Sequence, residues 1–242
     1  MKERPILFTG PMVRAILDGS KTQTRRIVKP QPFDRSYSRH DHRMAYASGR
    51  VADGDEIDGF YAYSTSSGGE WRARCPYGQP GDRLWVRETW LEDPEDDGTW
   101  HYTQYMGCKG SPLSEIPKKF RKPEHCIYRE GWDGVDLRWR PSIHMPRWAS
   151  RILLEIVSVR VERLQAIGDN DALTEGVERV ENNYGNGPAY CDYGMKNQDD
   201  TAEWFNSPVD SYQSLWESIN GAGSWEANPF VWVVEFRRSN VG

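Results

Sequence analysis

Apolar residues fall into a few short clusters along the chain, and most of these clusters predict β-strands. Residues 5–8 form an apolar run that ends in a Thr-Gly turn, which predicts a first strand. Residues 21–28 combine threonines with β-branched aliphatic residues ahead of Pro30, which predicts a second strand. Further strands are predicted at three segments with dense or alternating apolar residues: 83–90, 151–164 and 230–236.

Helical periodicity is confined to three segments. Residues 11–18 carry an apolar face between Pro11, which suits a first helical position, and Gly19, which suits a helix end. Residues 169–175 have an acidic first turn, and residues 208–219 repeat apolar positions at helical spacing. With several strands and only these helices, the pattern predicts an α+β fold.

Three polar segments separate the apolar clusters. They lie at about 33–75, 91–140 and 181–207 and contain few aliphatic residues. Hydrophobic residues make up 37% and charged residues 28% of the 242 residues, too polar a balance to fill a core evenly. We therefore expect one domain over 1–242 with long insertions. Weaker strand signals inside the insertions fall at 60–63, 100–105 and 127–129.

Charge and hydropathy narrow the classes of partner. The net charge of −5 disfavours salt-driven binding of duplex DNA, although basic residues cluster locally in 21–29 and 83–87. The sequence contains no run of eighteen apolar residues and no signal peptide, which predicts a protein without a membrane partner. We expect it in the cytoplasm of a bacterium or of a phage-infected host.

The cysteines predict neither disulfides nor a zinc ribbon. All four lie far apart, and none forms a Cys-x-x-Cys pair. Cys75, Cys108 and Cys126 could combine with His101 and His125 in a metal site, but reduced structural thiols are the default for such spacing. We predict no metal, and the missing phosphate loop and dinucleotide motif predict no nucleotide cofactor.

Four short motifs resemble the ASCH domain family. The segment 19–26 matches its G-x-K-T-x-T-x-R opening, and 81–84 matches its G-D-x-apolar strand entry. Residues 172–176 match its A-x-x-E-G helix, and 231–236 resemble its closing strand. The sequences at 85–88 and 143–151 resemble those of ASCH proteins that phages and prophages encode. The resemblance implies a PUA-like, mostly antiparallel small β-barrel with two or three flanking helices, from which the long insertions depart.

One branch of that family hydrolyses the amide of N4-acetylcytidine with a Lys, a Thr and a Glu. By motif position, the resemblance implies Lys21, Thr24 and Glu175 as catalytic residues. A Thr hydroxyl becomes a nucleophile only when a base removes its proton, and a Lys serves as base only if its pKa falls. Neighbouring cations, here Arg25 and Arg26, would lower that pKa.

The spacing of these residues sets a structural condition. Residues three apart on a regular strand point to opposite faces, so Lys21 must lie in the turn before the strand or beside a bulge. We then expect a cleft that holds Lys21, Thr24, Arg26, Arg87 and Glu175. The ordinary alternative makes the Lys a solvated turn residue, the Thr a strand-face residue and the Glu a solvent-facing helix residue.

A second hypothesis is a binding module for single-stranded RNA or modified nucleotides, without turnover. Arg25, Arg26, Arg83 and Arg87 would contact phosphates, and Trp85 would stack on a base. The partner is then a modified nucleoside or single-stranded RNA, and the sequence leaves any protein partner open.

A third hypothesis is RNA cleavage, an activity reported within the family. Glu88 and His144 are the candidates for acid–base work. Pro141 and Pro146 bracket the histidine and would hold its loop still. A lone histidine is more often structural, so this hypothesis ranks third.

Overall fold

The computed structural model describes residues 1–31, 43–50, 56–66, 69–92, 113–114, 116–134, 137–180, 187–194 and 204–239. Within these residues the fold is α+β with mostly antiparallel sheets, which confirms the predicted class. The candidate strand at 100–105, His101 and Cys108 lie outside the described residues. No helix of the described part is long and apolar enough to cross a membrane.

The strands of the described residues are numbered here in chain order. They are β1 (Glu3–Leu7), β2 (Gln23–Ile27), β3 (Arg43–Arg50), β4 (Glu56–Ser66), β5 (Gly69–Arg74), β6 (Arg83–Arg87), β7 (Trp90–Glu92), β8 (Cys126–Tyr128), β9 (Leu153–Arg163), β10 (Arg179–Val180), β11 (Ala189–Cys191), β12 (Trp204–Phe205) and β13 (Phe230–Ser239). The α-helices are α1 (Gly10–Asp18), α2 (Asp169–Thr174) and α3 (Pro208–Asn220). Short 3-10 helices occupy Lys118–Phe120, Pro123–His125, Ser142–His144, Arg147–Ala149 and Leu164–Ala166.

The largest sheet contains five strands in the order β1-β6-β9-β13-β2. β1 runs parallel to β6, whereas the other neighbours are antiparallel. β9 and β13 occupy the centre, and their register shifts between Glu235 and Phe236. Apolar residues fill the first half of β13 and bury it on both faces, whereas β9 mixes Val, Ile and Leu with charged residues and is buried mainly at its start.

The backbone pairing of the described residues leaves this sheet open. β1 and β2 are its two edge strands, and no backbone ladder joins them. A side chain connects the edges instead, because Arg26 Nη2 donates a hydrogen bond of 2.6 Å to the carbonyl oxygen of Leu7. The edges therefore approach each other without the strand pairing that closes a barrel.

Smaller sheets lie within or beside the predicted insertions. β3, β4 and β5 form an antiparallel meander inside the segment 33–75. The sequence predicted only a weak strand at 60–63 there, because the aliphatic content is low. Backbone hydrogen bonds between neighbouring strands can support such a meander without an alternating apolar pattern. β7 with β8, and β10 with β11 and β12, form two further small sheets.

Local signals explain the helix ends. α1 ends where Gly19 adopts a φ of 86°, a left-handed conformation that favours glycine. α3 begins after Ser207, whose side chain accepts a hydrogen bond from the backbone N–H of Asp210. The buried faces of α1 and α3 pack with the central sheet in one apolar core, which includes Val13, Trp216 and residues of β13.

Candidate functional site

The turn between α1 and β2 places Lys21 ahead of the strand. The backbone N–H of Lys21 donates to the carbonyl of Ala15 at 2.9 Å, and that of Thr22 donates to the carbonyl of Thr174 at 2.9 Å. β2 begins only at Gln23, two residues later than the predicted 21–28. Lys21 therefore lies in the turn and not in the pleated strand, as cooperation with Thr24 requires.

Lys21 forms a fully buried ion pair with Glu175. Its Nζ donates to the carboxylate Oε2 at 3.0 Å and to the backbone carbonyl of the same residue at 2.6 Å. The two side chains are 0% and 1% exposed, so neither is the solvated surface residue of the ordinary alternative. Burial lowers the pKa of Lys21, and the Glu175 carboxylate partly offsets that shift.

Arg25 completes the cluster from β2. Its Nη1 donates to Glu175 Oε1 at 3.1 Å, so the two carboxylate oxygens bind two different cations. Its Nη2 donates to Asp171 Oδ2 at 2.6 Å and lies 3.4 Å from Glu162 Oε2. Burial raises the pKa of Asp171, but the hydrogen bond and charge of Arg25 outweigh it, and the pKa lies below the usual value. Arg25 thus links β2 with α2 and β9.

Gly176 lets the end of α2 approach this turn. Its φ of +83° favours glycine, and a Cβ at this position would lie 2.8 Å from the Cβ atoms of Ala15 and Lys21. Any larger residue would push α2 away from the α1–β2 turn. The Glu-Gly pair of the A-x-x-E-G motif therefore has a physical basis, because the glycine brings the glutamate within reach of Lys21.

A cleft of about 430 Å³ opens beside the cluster. Its floor, defined here as the buried lining residues, combines Thr24 and Glu175 with apolar and aromatic side chains, chiefly Met12, Tyr212, Trp216 and Trp232. Its rim, defined as the exposed lining residues, contains Lys29, Arg74, Pro76, Ile219 and Asn220. The volume lies in the range of small-molecule sites, about 300–1,000 Å³.

The structure brings together most of the residues predicted for one cleft. Thr24, Arg26 and Glu175 line it, whereas Lys21 lies behind Glu175 and contacts the cleft through that carboxylate. Arg87 does not line it. The Arg87 guanidinium lies 4.8 Å from the ring of the Trp at position 85 and 3.4 Å from the carbonyl of Ile143.

The remaining predicted RNA contacts surround β6. Arg83 lies half-buried at the start of the strand, and Trp85 is 7% exposed beneath Arg87. Trp85 is therefore packed against a cation on one side of its ring, in the geometry of a cation–π contact. The role of these residues in binding RNA stays a prediction.

Glu88 and His144, the nuclease candidates, occupy different surroundings. Glu88 is buried and accepts two hydrogen bonds from Arg151, at 2.9 Å from Nε and 2.8 Å from Nη2. Burial raises the pKa of Glu88, and Arg151 partly offsets that shift. His144 is exposed at the end of a 3-10 helix, downstream of Pro141 as predicted. Neither residue lines the cleft.

Sequence reasoning did not assign several residues to the cleft. Tyr212 and Trp216 appeared in the pattern only as the apolar face of a helix, and Trp232 only as part of a strand. Burial and the nearby Glu175 charge raise the pKa of Tyr212, so its hydroxyl stays protonated. Lys29 and Arg74 carried no signal beyond their charge, because they lie far apart in sequence and meet only at the rim.

The described residues contain no cluster of three or more His, Cys, Asp or Glu side chains suited to a metal ion. Cys75 is buried and free, Cys126 is buried, and Cys191 is half-buried. Burial raises the pKa of Cys75 to about 11, which makes its thiol a poor nucleophile near neutral pH.

Comparison with known proteins gives this cleft no function. No protein-family model, no curated protein and no solved structure matches the chain.

Proposed function

We propose that this chain is an ASCH-type hydrolase with a PUA-like sheet that cleaves the amide of N4-acetylcytidine or a related modified pyrimidine. The observation that carries the proposal is the buried Lys21–Glu175–Arg25 cluster at the floor of a cleft that also presents Thr24. A buried lysine with a lowered pKa, paired with a carboxylate beside a hydroxyl, is a typical arrangement for proton transfer.

The residues of the cleft divide into binding and reacting groups. Tyr212, Trp216 and Trp232 give the floor an aromatic surface suited to a pyrimidine ring. Thr24 and Glu175 supply the polar groups beside that surface. A largely apolar pocket with a few convergent polar groups is the usual form of a small-molecule site.

The proposed reaction uses Thr24 as nucleophile. The Thr24 proton passes to the Lys21–Glu175 pair, through the Glu175 carboxylate that lines the cleft, while Oγ attacks the acyl carbonyl carbon. Arg26, which lines the same cleft, stabilises the oxyanion that develops. The C–N4 bond then breaks as N4 takes up the proton that came from Thr24, releasing cytidine. Water finally hydrolyses the acyl ester on Thr24 and releases the carboxylic acid.

The test uses Thr24→Val, which keeps the volume of a buried residue and removes only its hydroxyl. Purified protein is incubated with N4-acetylcytidine, and conversion to cytidine is followed by chromatography. We expect the variant to lose at least about a hundred-fold in kcat with an unchanged melting temperature. The matched control is Thr22→Val, because Thr22 is exposed two residues away. Absence of conversion by the unmodified chain contradicts hydrolysis of this substrate.

A second candidate function is binding of a modified nucleoside or RNA without turnover. One observation favours it: both hydrogen bonds that Lys21 Nζ donates within the described residues go to Glu175, as in a purely structural ion pair. Calorimetric titration with cytidine separates the two functions. Binding without conversion of the acetylated nucleoside supports this second function and contradicts the first.

A further inference from the structure

The charges that line the cleft are strongly unequal. Four cationic side chains line it against one carboxylate, Glu175, whose two oxygens already bind Lys21 and Arg25. Two of the lining cations, Arg26 and Lys29, take part in no ion pair among the described residues. A cleft this positive in a chain with a net charge of −5 is a local feature of the site.

The positive charge is also graded with depth. The floor is largely aromatic, and its one cation, Arg25, pairs with the carboxylates of α2, β9 and Glu175, whereas the rim carries the exposed Lys29 and Arg74. A ligand with an apolar ring at one end and an anionic group at the other fits this gradient. A free nucleoside fits only the floor, because it has no charge for the rim.

We propose that the natural ligand of the cleft is a pyrimidine nucleoside 5′-monophosphate, with its base on the aromatic floor and its phosphate at Lys29 and Arg74. This inference rests on the proposed function and narrows its substrate from a nucleoside to a mononucleotide. The net charge of −5 favours a single phosphate over a long polyanion, whose further phosphates would meet an acidic chain beyond the rim.

The test compares cytidine with CMP by calorimetric titration at low salt. A phosphate monoester carries about −1.5 to −2 charges at pH 7. We expect CMP to bind at least about ten-fold more tightly, since hydrogen bonds between charged groups are the stronger class. Lys29→Gln should weaken CMP binding until its affinity is close to that of cytidine, and it should leave the affinity for cytidine unchanged. The control Lys118→Gln changes an exposed lysine that does not line the cleft and should leave both affinities unchanged.

The outcomes separate this inference from the function on which it rests. Equal affinity for cytidine and CMP, together with conversion of N4-acetylcytidine, overturns the phosphate site and leaves the hydrolase intact. Binding of neither ligand overturns both. The proposal of a mononucleotide ligand is overturned in favour of RNA if a single-stranded cytidine oligonucleotide binds more tightly than CMP and its affinity falls steeply with salt. Competition by inorganic phosphate in the unmodified chain, lost in Lys29→Gln, supports the site.

Discussion

Two carboxylates of this chain are equally buried, yet their surroundings differ. Glu175 and Glu88 are each 1% exposed. Glu175 binds two cations that are themselves fully buried. Among the described residues, the one cation that pairs with Glu88 is Arg151, which is 29% exposed and lies against the ring of Tyr128. Water can therefore hydrate the partner of Glu88 but not the partners of Glu175. Burial of the carboxylate alone therefore does not distinguish the two regions; the burial of its cationic partners does.

The largest loss in the free energy of unfolding is expected for Glu175→Gln. The variant leaves Lys21 and Arg25 buried without their shared carboxylate, and removal of one member of a buried pair costs about 3–5 kcal/mol. Urea unfolding of the variant measures the loss. Glu178→Gln is the control, because Glu178 is exposed three residues away. A loss below about 1 kcal/mol would mean that the cluster is hydrated.

A smaller effect is expected for Glu88→Gln. The variant loses two hydrogen bonds to a charged group, but Arg151 can turn toward solvent, so we expect a loss of about 2 kcal/mol. The same unfolding experiment measures it. Conversion of N4-acetylcytidine should stay within about two-fold of the unmodified chain, since Glu88 does not line the cleft. Lost conversion in a folded variant would show that Glu88 supports amide hydrolysis and would contradict the difference between the two carboxylates.

The two regions should also differ in the sign of their pH dependence. Burial raises the pKa of Glu88 above 4.5, so its contribution to the free energy of unfolding falls as pH rises from 4.5 through the raised value. The pKa of Asp171, beside Arg25, lies below 3.8, so its contribution is complete above 3.8 and is lost as pH falls through the lowered value. Subtracting the unfolding curves of Glu88→Gln and of Asp171→Asn from that of the unmodified chain should give opposite slopes. Slopes of the same sign for the two variants would contradict the predicted difference between the surroundings of Glu88 and those of Asp171.

The smallest effect is expected at a carboxylate on the surface. Glu155 pairs with Arg237, whose side chain is 68% exposed, at 2.8 Å. Exposed pairs contribute about 0–1 kcal/mol, so Glu155→Gln should hardly shift the urea midpoint. A loss as large as that of Glu88→Gln would show that solvent exposure of the cation does not set the order.

Local signals predicted the helices well and the strand ends less well. Pro11 and Gly19 bound α1 within one residue of the prediction, because helix ends depend on neighbouring residues. The start of β2 was predicted two residues early. At Lys21 and Thr22 the backbone donors bind carbonyls of α1 and of α2, and no local pattern encodes the latter contact across about 150 residues.

The site was predictable only in part for a related reason. The motif match grouped Lys21, Thr24 and Glu175, and the structure places them around one cleft wall. The aromatic floor was not predictable, because Trp216 and Trp232 have the spacing of ordinary core residues. Trp232 reaches the cleft through the pairing of β2 with β13, and Trp216 through the packing of α3 in the core; both are long-range contacts.

The pairing of β2 with β13 also determines when the site can form during synthesis. β13 is the only sheet neighbour of β2 in the described residues, and Thr24 pairs with Val234, about 200 residues further along the chain. At about 5–20 residues per second, a ribosome needs about 10–40 s to make that stretch. During this interval β2 is without its sheet neighbour. The cleft, which residues of both strands line, is therefore incomplete until β13 emerges.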